Sequence, residues 1–249
     1  MADPLFDEPA RRQRRLRGLG RQPRPFLAER IVGEWLERLA PVRRRFGRVL
    51  VTGTPDAFHD QLRGLGEDVA YGETIDVVAE EEEASVDLML VMGELDARDE
   101  LPLLLRIIAS RLAPGGLLVG AMPGGGTLPA LRSALHAAEQ ASGAFAARSH
   151  PRIEPGALAA LFGAAGLIDA VVDVDRMTLR YRSLLRLIAD LRDHGATNVL
   201  CARPRTGLGK ARLEAANKAF AGLGVAGITE ERIDLLHYAA WARPNGKAA

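Results

Sequence analysis

The stretch Val49-Leu50-Val51-Thr52-Gly53-Thr54-Pro55-Asp56-Ala57-Phe58 decides the fold. Its opening residues form an apolar, β-branched run that reads as a buried strand; Gly53 begins a small-residue turn, and a helix is expected from there to Leu65. A strand feeding a helix through a glycine is the first unit of a doubly wound α/β sheet, in which ligands lie at the carboxyl ends of the strands. The turn is poorly equipped for that task. A loop that cradles a nucleotide-like ligand needs several glycines, because backbone must approach the ligand and at least one residue needs positive φ. Only Gly53 is present, and Pro55 removes an N–H donor.

Composition sets the outer bounds. At 249 residues, 47% apolar and 26% charged, the chain suits one large α/β domain or a domain with an added helical lobe. A single cysteine, Cys201, excludes an internal disulfide framework and a cysteine-based zinc cluster, and it fits a reducing compartment. No apolar run approaches the ~20 residues that span a bilayer. The arginine-rich start has no apolar segment behind it, and Asp7 and Glu8 precede the arginines, so neither a secretory signal nor a mitochondrial presequence is favoured. A cytoplasmic location is the expectation.

The net charge of +1 conceals a partition. Residues 1–48 carry 13 Lys/Arg against 6 Asp/Glu, residues 56–100 carry 2 against 15, and residues 101–249 carry 18 against 11. Such asymmetry speaks of partners more than of fold. The basic arm could meet nucleic acid or acidic lipid, but the plainer reading is a solvated helix face near the acidic half, and nucleic acid is not expected.

Along the chain, residues 10–21 read as a basic helical segment ended by Gly18, Gly20 and the Pro23/Pro25 pair. Phe26, Leu27, Ile31, Trp35 and Leu39 recur at helical spacing. Two short strands are expected at 68–71 and 75–79, then the acidic run Glu80-Glu81-Glu82-Glu83. Val86 to Met92 is continuous and apolar, as a central parallel strand should be. A helix over 102–112, the turn Ala113-Pro114-Gly115-Gly116 and a strand over 117–121 complete a βαβ crossover. Gly124-Gly125-Gly126-Thr127 then opens a helix over 128–141 whose N-terminus could hold an anion, although a flexible turn is the simpler reading. Later expectations are a helix over 155–165, strands at 170–175, 178–181 and 198–202, helices over 183–194 and 207–227, and a final strand over 233–242. Residues 143–148 look like the most mobile loop.

The run from Leu112 to Arg132, with Ala113-Pro114-Gly115-Gly116 and Pro123-Gly124-Gly125-Gly126-Thr127 inside it, resembles the methyltransferase-like proteins of the complex I assembly factor 5 type. Ser149-His150-Pro151-Arg152, Val172-Asp173-Val174-Asp175, Arg180-Tyr181, the segment Asp190 to Asn198, and Trp241 resemble them too. The likeness covers nearly the whole chain and is strongest from residue 102 onward; malonyl-carrier-protein methyltransferases are the second comparison. It implies a Rossmann-like class I S-adenosylmethionine (SAM) methyltransferase fold. The implied sheet is mostly parallel and seven-stranded, with helices on both faces and helical additions at both ends. A basic arm and covering helix over 1–45 would precede a methyltransferase-like domain over 46–249.

Carried over residue by residue, the resemblance implies Gly53, Thr54, Glu73, Glu80, Glu81 and Met92 as cofactor-binding candidates. The family loop Asp-Leu-Gly-Cys-Gly-x-Gly becomes Val51 to Ala57, without its first acid and its second and third glycines. Glu73 is nearest to the ribose-binding acid, Glu80 stands for the aspartate of the Ala-Asp-Glu-Glu motif with Glu81 beside it, and Leu-His-Trp becomes Gly93-Glu94-Leu95 after Met92. These losses fall on one ligand, SAM. They favour a protein that keeps the fold with weakened or lost cofactor binding, related to factors that modify a protein arginine. The alternatives are a non-catalytic assembly or scaffold protein, partnered by a protein substrate or a respiratory-complex subunit, and an active small-molecule or carrier-protein O-methyltransferase. No catalytic residue is assigned. The five histidines show no metal-binding spacing. Arg192, His194 and Asn198 could line a substrate side, or simply belong to a capped helix end.

Overall fold

The computed structural model of the protein describes residues 3–22, 24–143 and 145–244, so residues 1–2, Pro23, Ala144 (within the loop expected over 143–148) and residues 245–249 lie outside the described residues. In chain order the elements are α1 (Glu8–Arg21), α2 (Phe26–Leu39), β1 (Phe46–Thr52), α3 (His59–Leu62), β2 (Gly66–Gly72), β3 (Val86–Met92), α4 (Leu101–Arg111), β4 (Leu112–Pro123), α5 (Pro129–Ser142), α6 (Pro155–Ala164), β5 (Ile168–Tyr181), α7 (Leu184–Asp193), α8 (Lys210–Gly222) and β6 (Thr229–Trp241). They form a six-stranded sheet of order β2-β1-β3-β4-β6-β5. β2, β1, β3 and β4 run parallel, and β6 is antiparallel to β4.

The sheet therefore has six strands where seven were expected. The stretch read as a strand at 75–79 is a 3-10 helix, Ile75–Glu80. Ile75 and Val78 are both fully buried, the i, i+3 spacing of a 3-10 turn rather than the alternation of a strand. The two short strands expected at 170–175 and 178–181 are one continuous β5, and residues 198–202 contribute only the bridge Phe6↔Leu200. The helix expected to reach Leu65 is broken into a 3-10 turn, the four-residue α3 and a second 3-10 turn. The helices added to the sheet are α1 and α2 ahead of it and α8 before β6; the last described element is a strand.

The chain divides into two compact units. The first comprises residues 23–124, 153–175 and 235–249. Its core includes Leu50, Met89, Val91, Ile108, Leu118, Phe162 and Tyr238, all at most 1% exposed. Tyr238 requires a glycine opposite it, because a Cβ on Gly120 would lie 2.2 Å from its ring. On α2, Arg30 grips Asp175 with two hydrogen bonds (2.6 and 3.0 Å), and Arg38 bonds Glu34 (2.6 Å) and Asp173 (2.7 Å). The acids of the Val172-Asp173-Val174-Asp175 motif thus hold a helix in place. Nearby His237 is buried with no hydrogen-bond partner at either ring nitrogen among the described residues.

The second unit comprises residues 1–22, 125–152 and 176–234, with a core that includes Ala134, Ala138, Leu184, Leu187, Ala216 and Phe220. The arginine-rich start is an ordered helix that runs through Gly18 and Gly20 to Arg21 instead of ending there. Asp7 caps it by accepting from the Ala10 N–H (3.0 Å). A Cβ on Gly18 would fall 2.8 Å from the Asp193 carbonyl, and one on Gly195 would fall 2.7 Å from the Arg15 Cα. Glycine therefore lets α1 lie directly on the end of α7, where Arg21 also pairs with Asp193 at 2.6 Å.

Candidate functional site

Two places gather the residues of interest, one in each unit. The first is the edge of the sheet where β1, β2 and β3 end. Thr52 pairs with Gly72 on one side and Val91 on the other, so Gly53, Glu73 and Met92 leave the sheet side by side. Gly53 has φ +80°, the left-handed conformation expected of a strand-to-loop turn. Its N–H donates to the Gly72 carbonyl at 3.1 Å, extending the ladder by one residue. Thr54, Pro55 and Phe58 are buried around it, and Met92 is 8% exposed. The hydroxyls of Thr52 and Thr54 are buried without a hydrogen-bond partner among the described residues.

The loops that follow β2 and β3 are tied to each other across this edge. Glu94, 1% exposed, accepts from the Ile75 backbone N–H at 3.1 Å and from Arg98 at 3.2 Å. Arg98 reaches back to Asp76 at 3.0 Å. This tie is not legible in the sequence, since a Glu and an Arg four apart in an acid-rich loop read as surface charge.

The acidic candidates lie apart. Glu73 and Glu80 are exposed. Glu81 is bound by Arg48 through two contacts, 2.7 and 3.2 Å, and Arg48 stands four residues before the carboxyl end of β1. At about 3.3 Å per residue that is roughly 13 Å from Thr52. Of the six candidates, Gly53, Thr54, Glu73 and Met92 are thus grouped at the strand ends, while Glu80 and Glu81 are not.

The second place is a cavity of about 160 Å³ in the other unit. Three of the segments that carry the family resemblance meet there: Thr127 to Arg132, Ser149 to Arg152, and Leu191 to Asn198. Asn198 lines it, but its amide is committed to the Ala147 carbonyl (2.6 Å) and the Leu200 N–H (3.0 Å). His150 accepts from the Val199 N–H at 2.9 Å. His194 lies outside the lining; its Nδ1 is 2.7 Å from the Asp190 carbonyl, and burial pushes its pKa down. Arg192 is exposed and also stays outside. The N-terminus of α5, read as an anion seat, is filled from within: the Glu231 carboxylate accepts from the N–H groups of Ala130 (3.2 Å), Leu131 (2.8 Å) and Arg232 (2.9 Å). Burial raises the Glu231 pKa despite these bonds.

No family model matches the sequence. Among solved structures, a proposed methyltransferase of Bacillus halodurans superposes with a TM-score of 0.51 at 11% identity, covering 84% of this chain and 98% of the other, and so shares its fold. Among curated proteins, the mitochondrial arginine-hydroxylase NDUFAF5 of Rattus norvegicus is 29% identical over 224 residues, 78% of this chain and 64% of that protein. The human protein of the same name is 29% identical over 231 residues, 82% of this chain and 66% of its own. The Danio rerio protein is 36% identical over 128 residues, 49% of this chain and 40% of its own.

The chain is similar to NDUFAF5 over about four fifths of its length and shares the fold of the Bacillus halodurans protein. It spans a little under two thirds of the length of the rat relative. The cavity of the second unit is lined by residues of the segments 127–135, 148–152 and 188–198. Among the described residues no helix is long and apolar enough to cross a membrane.

Proposed function

We propose that this NDUFAF5-like protein serves the assembly of a respiratory complex through protein contacts, with SAM binding weakened or lost. The residues at the end of β1 do not fit the cofactor. The observation that carries this reading is the tie of Glu94 to Ile75 and Arg98, which draws together the loops after β2 and β3 where a nucleoside would enter. Three further features support it. The Gly53 N–H is spent on Gly72, Pro55 offers no donor, and Glu73, the residue nearest to a ribose-gripping position, is exposed rather than enclosed by the strand ends. The fold alone carries no activity, since one architecture hosts many functions. The free Cys201 thiol accords with a reducing compartment, and we place the protein in the cytoplasm.

Thermal melting and calorimetric titration with SAM test the proposal. At 1 mM ligand a site with a Kd of about 10 µM would add about 2.7 kcal/mol of stability. For a chain of this size that is a rise of roughly 5–11 °C. No heat and no shift at 1 mM is the expected result; a saturable heat at that strength overturns the reading. A second reading, in which the protein is an active SAM enzyme whose loops part on binding, is favoured by the unpartnered hydroxyls of Thr52 and Thr54. It predicts the opposite titration.

A further inference from the structure

The cavity in the second unit has a chemical character that the family likeness does not assign. Its walls present Arg132, Arg148, Arg152 and His150, and no described residue lining it carries a carboxylate. The remainder is largely apolar, with Leu131, Leu135 and Ile188 among the lining side chains.

The arginines differ in what occupies them. Arg148 is paired with the Glu139 carboxylate at 2.9 Å, both side chains nearly buried. Arg132 instead gives its guanidinium to the backbone carbonyls of Thr127 and Gly125 and makes no ion pair among the described residues. The acid that acts on it electrostatically, Glu231, already accepts three backbone N–H bonds at the start of α5. A guanidinium held by neutral carbonyls at the wall of a half-apolar cavity is a positive group with unspent donors.

We propose that this cavity binds a small organic anion, a carboxylate or phosphomonoester on an apolar body, with Arg132 as its principal counter-charge. The size follows from the volume. A cavity of about 150 Å³ accommodates benzene, so the 160 Å³ here takes a body of about six carbons. The anion gains charge-assisted bonds from Arg132, with the hydroxyls of Ser149 and Thr197 as further donors in the lining. A guanidinium ligand meets the unpaired charge of Arg132 and no carboxylate in the lining, so an arginine side chain is disfavoured as occupant. This inference is independent of whether SAM binds at the Gly53 edge.

Titration of the full-length protein with four isosteric probes, followed by calorimetry and amide-shift NMR, tests it. Benzoate and phenyl phosphate are the anions, benzamide the neutral control and benzamidine the cation. At least one anion should bind with a Kd of about 1 mM or lower, a reasonable strength for so few atoms, and at least tenfold tighter than benzamide. Preference between the two anions identifies the head group. Arg132→Gln should weaken the anion tenfold or more and leave benzamide unchanged. Because Arg132 also braces the turn at Gly125 to Thr127, Ile188→Trp provides a second variant: it fills the apolar part and should weaken anion binding in a protein that keeps its melting temperature within a few degrees. Equal binding of benzoate and benzamide, tighter binding of benzamidine, no binding of any anion at 10 mM, or insensitivity to Ile188→Trp would each overturn the proposal.

Discussion

Glu94→Ala is the perturbation that most directly tests how the sheet edge is held. Glu94 is 1% exposed, and its carboxylate is the acceptor for the Ile75 N–H at 3.1 Å and for Arg98 at 3.2 Å. Removing it leaves a buried backbone donor without that acceptor, at about 1–3 kcal/mol. It also strips one partner from a largely buried guanidinium, where breaking such a pair costs about 3–5 kcal/mol when nothing replaces it. Arg98 keeps Asp76 at 3.0 Å, on a carboxylate that is 62% exposed, so the second cost is only partly incurred. A total near 3 kcal/mol follows, or a melting temperature lower by roughly 6–12 °C. Glu94→Gln retains an amide oxygen for Ile75 and should lose about 1 kcal/mol, the net worth of the charge on that hydrogen bond. Urea unfolding followed by circular dichroism measures both, and a double-mutant cycle with Arg98→Ala should give a coupling of at least about 1 kcal/mol. An alanine variant within about 0.5 kcal/mol of wild type, the range of ordinary surface substitutions, with no coupling to Arg98, would refute the tie between the two loops. Under the proposed function neither variant should bind SAM, because the Gly53 N–H remains on the Gly72 carbonyl.

Two other outcomes follow from the first unit. In Gly120→Ala the new methyl would sit 2.2 Å from the ring of Tyr238, itself 1% exposed, so the loss should reach or exceed the ~1–3 kcal/mol typical of overpacking; Tyr238→Leu in the same chain should recover part of it, and an unchanged unfolding midpoint would disprove the packing account. The His237 imidazole is held below its ordinary pKa of 6.5, first by burial and then by Arg38, with Glu34 and Arg30 of α2 and Asp175 of β5 also facing it. The unfolded chain therefore takes up this proton at higher pH than the folded one, so stability falls as pH drops below 6.5 and continues to fall toward the folded pKa. His237→Leu should reduce that acid loss between pH 7.5 and 5.5 in urea unfolding, without removing the part contributed by His194; parallel curves for variant and wild type would count against it.

The strands that were legible are those whose burial is continuous. Leu88 to Met92 and Leu117 to Ala121 are interior strands buried residue after residue, on both faces, and such runs announce themselves. β5 is an edge strand with exposed Val171 and Val174 and with Asp173 and Asp175 committed to α2, so its pattern breaks and it reads as two pieces. Ile75-Asp76-Val77-Val78 has the composition of a strand, and only the joint burial of Ile75 and Val78, beneath an N–H held by Glu94, reveals the 3-10 turn. The single glycine of the turn after β1 could be counted in the sequence; the cavity could not, because Arg132, Arg148 and Ile188 come from separate segments. Likewise α1 could be read as basic, while its docking depends on Gly18 meeting Gly195, 177 positions away.

The hydroxyls of Thr52 and Thr54 bear on how the Gly53 edge should be understood, since buried polar atoms without partners are uncommon and cost about 1–3 kcal/mol each. If a nucleoside satisfied them, they would have to do the work of a carboxylate toward a ribose diol. A carboxylate accepts two hydroxyl protons at once on paired oxygens, whereas a threonine offers one donor and one oxygen. The Gly53 amide could help only by releasing the Gly72 carbonyl, which removes the last ladder bond between β1 and β2. Ligand binding here would thus have to replace a strand hydrogen bond and the buried Glu94 pair before gaining any contact of its own. Substituting valine at both threonines separates the two views: a chain that is more stable and otherwise unaltered fits an edge that has become part of the core, whereas loss of a SAM-dependent melting shift fits one that still receives a ligand.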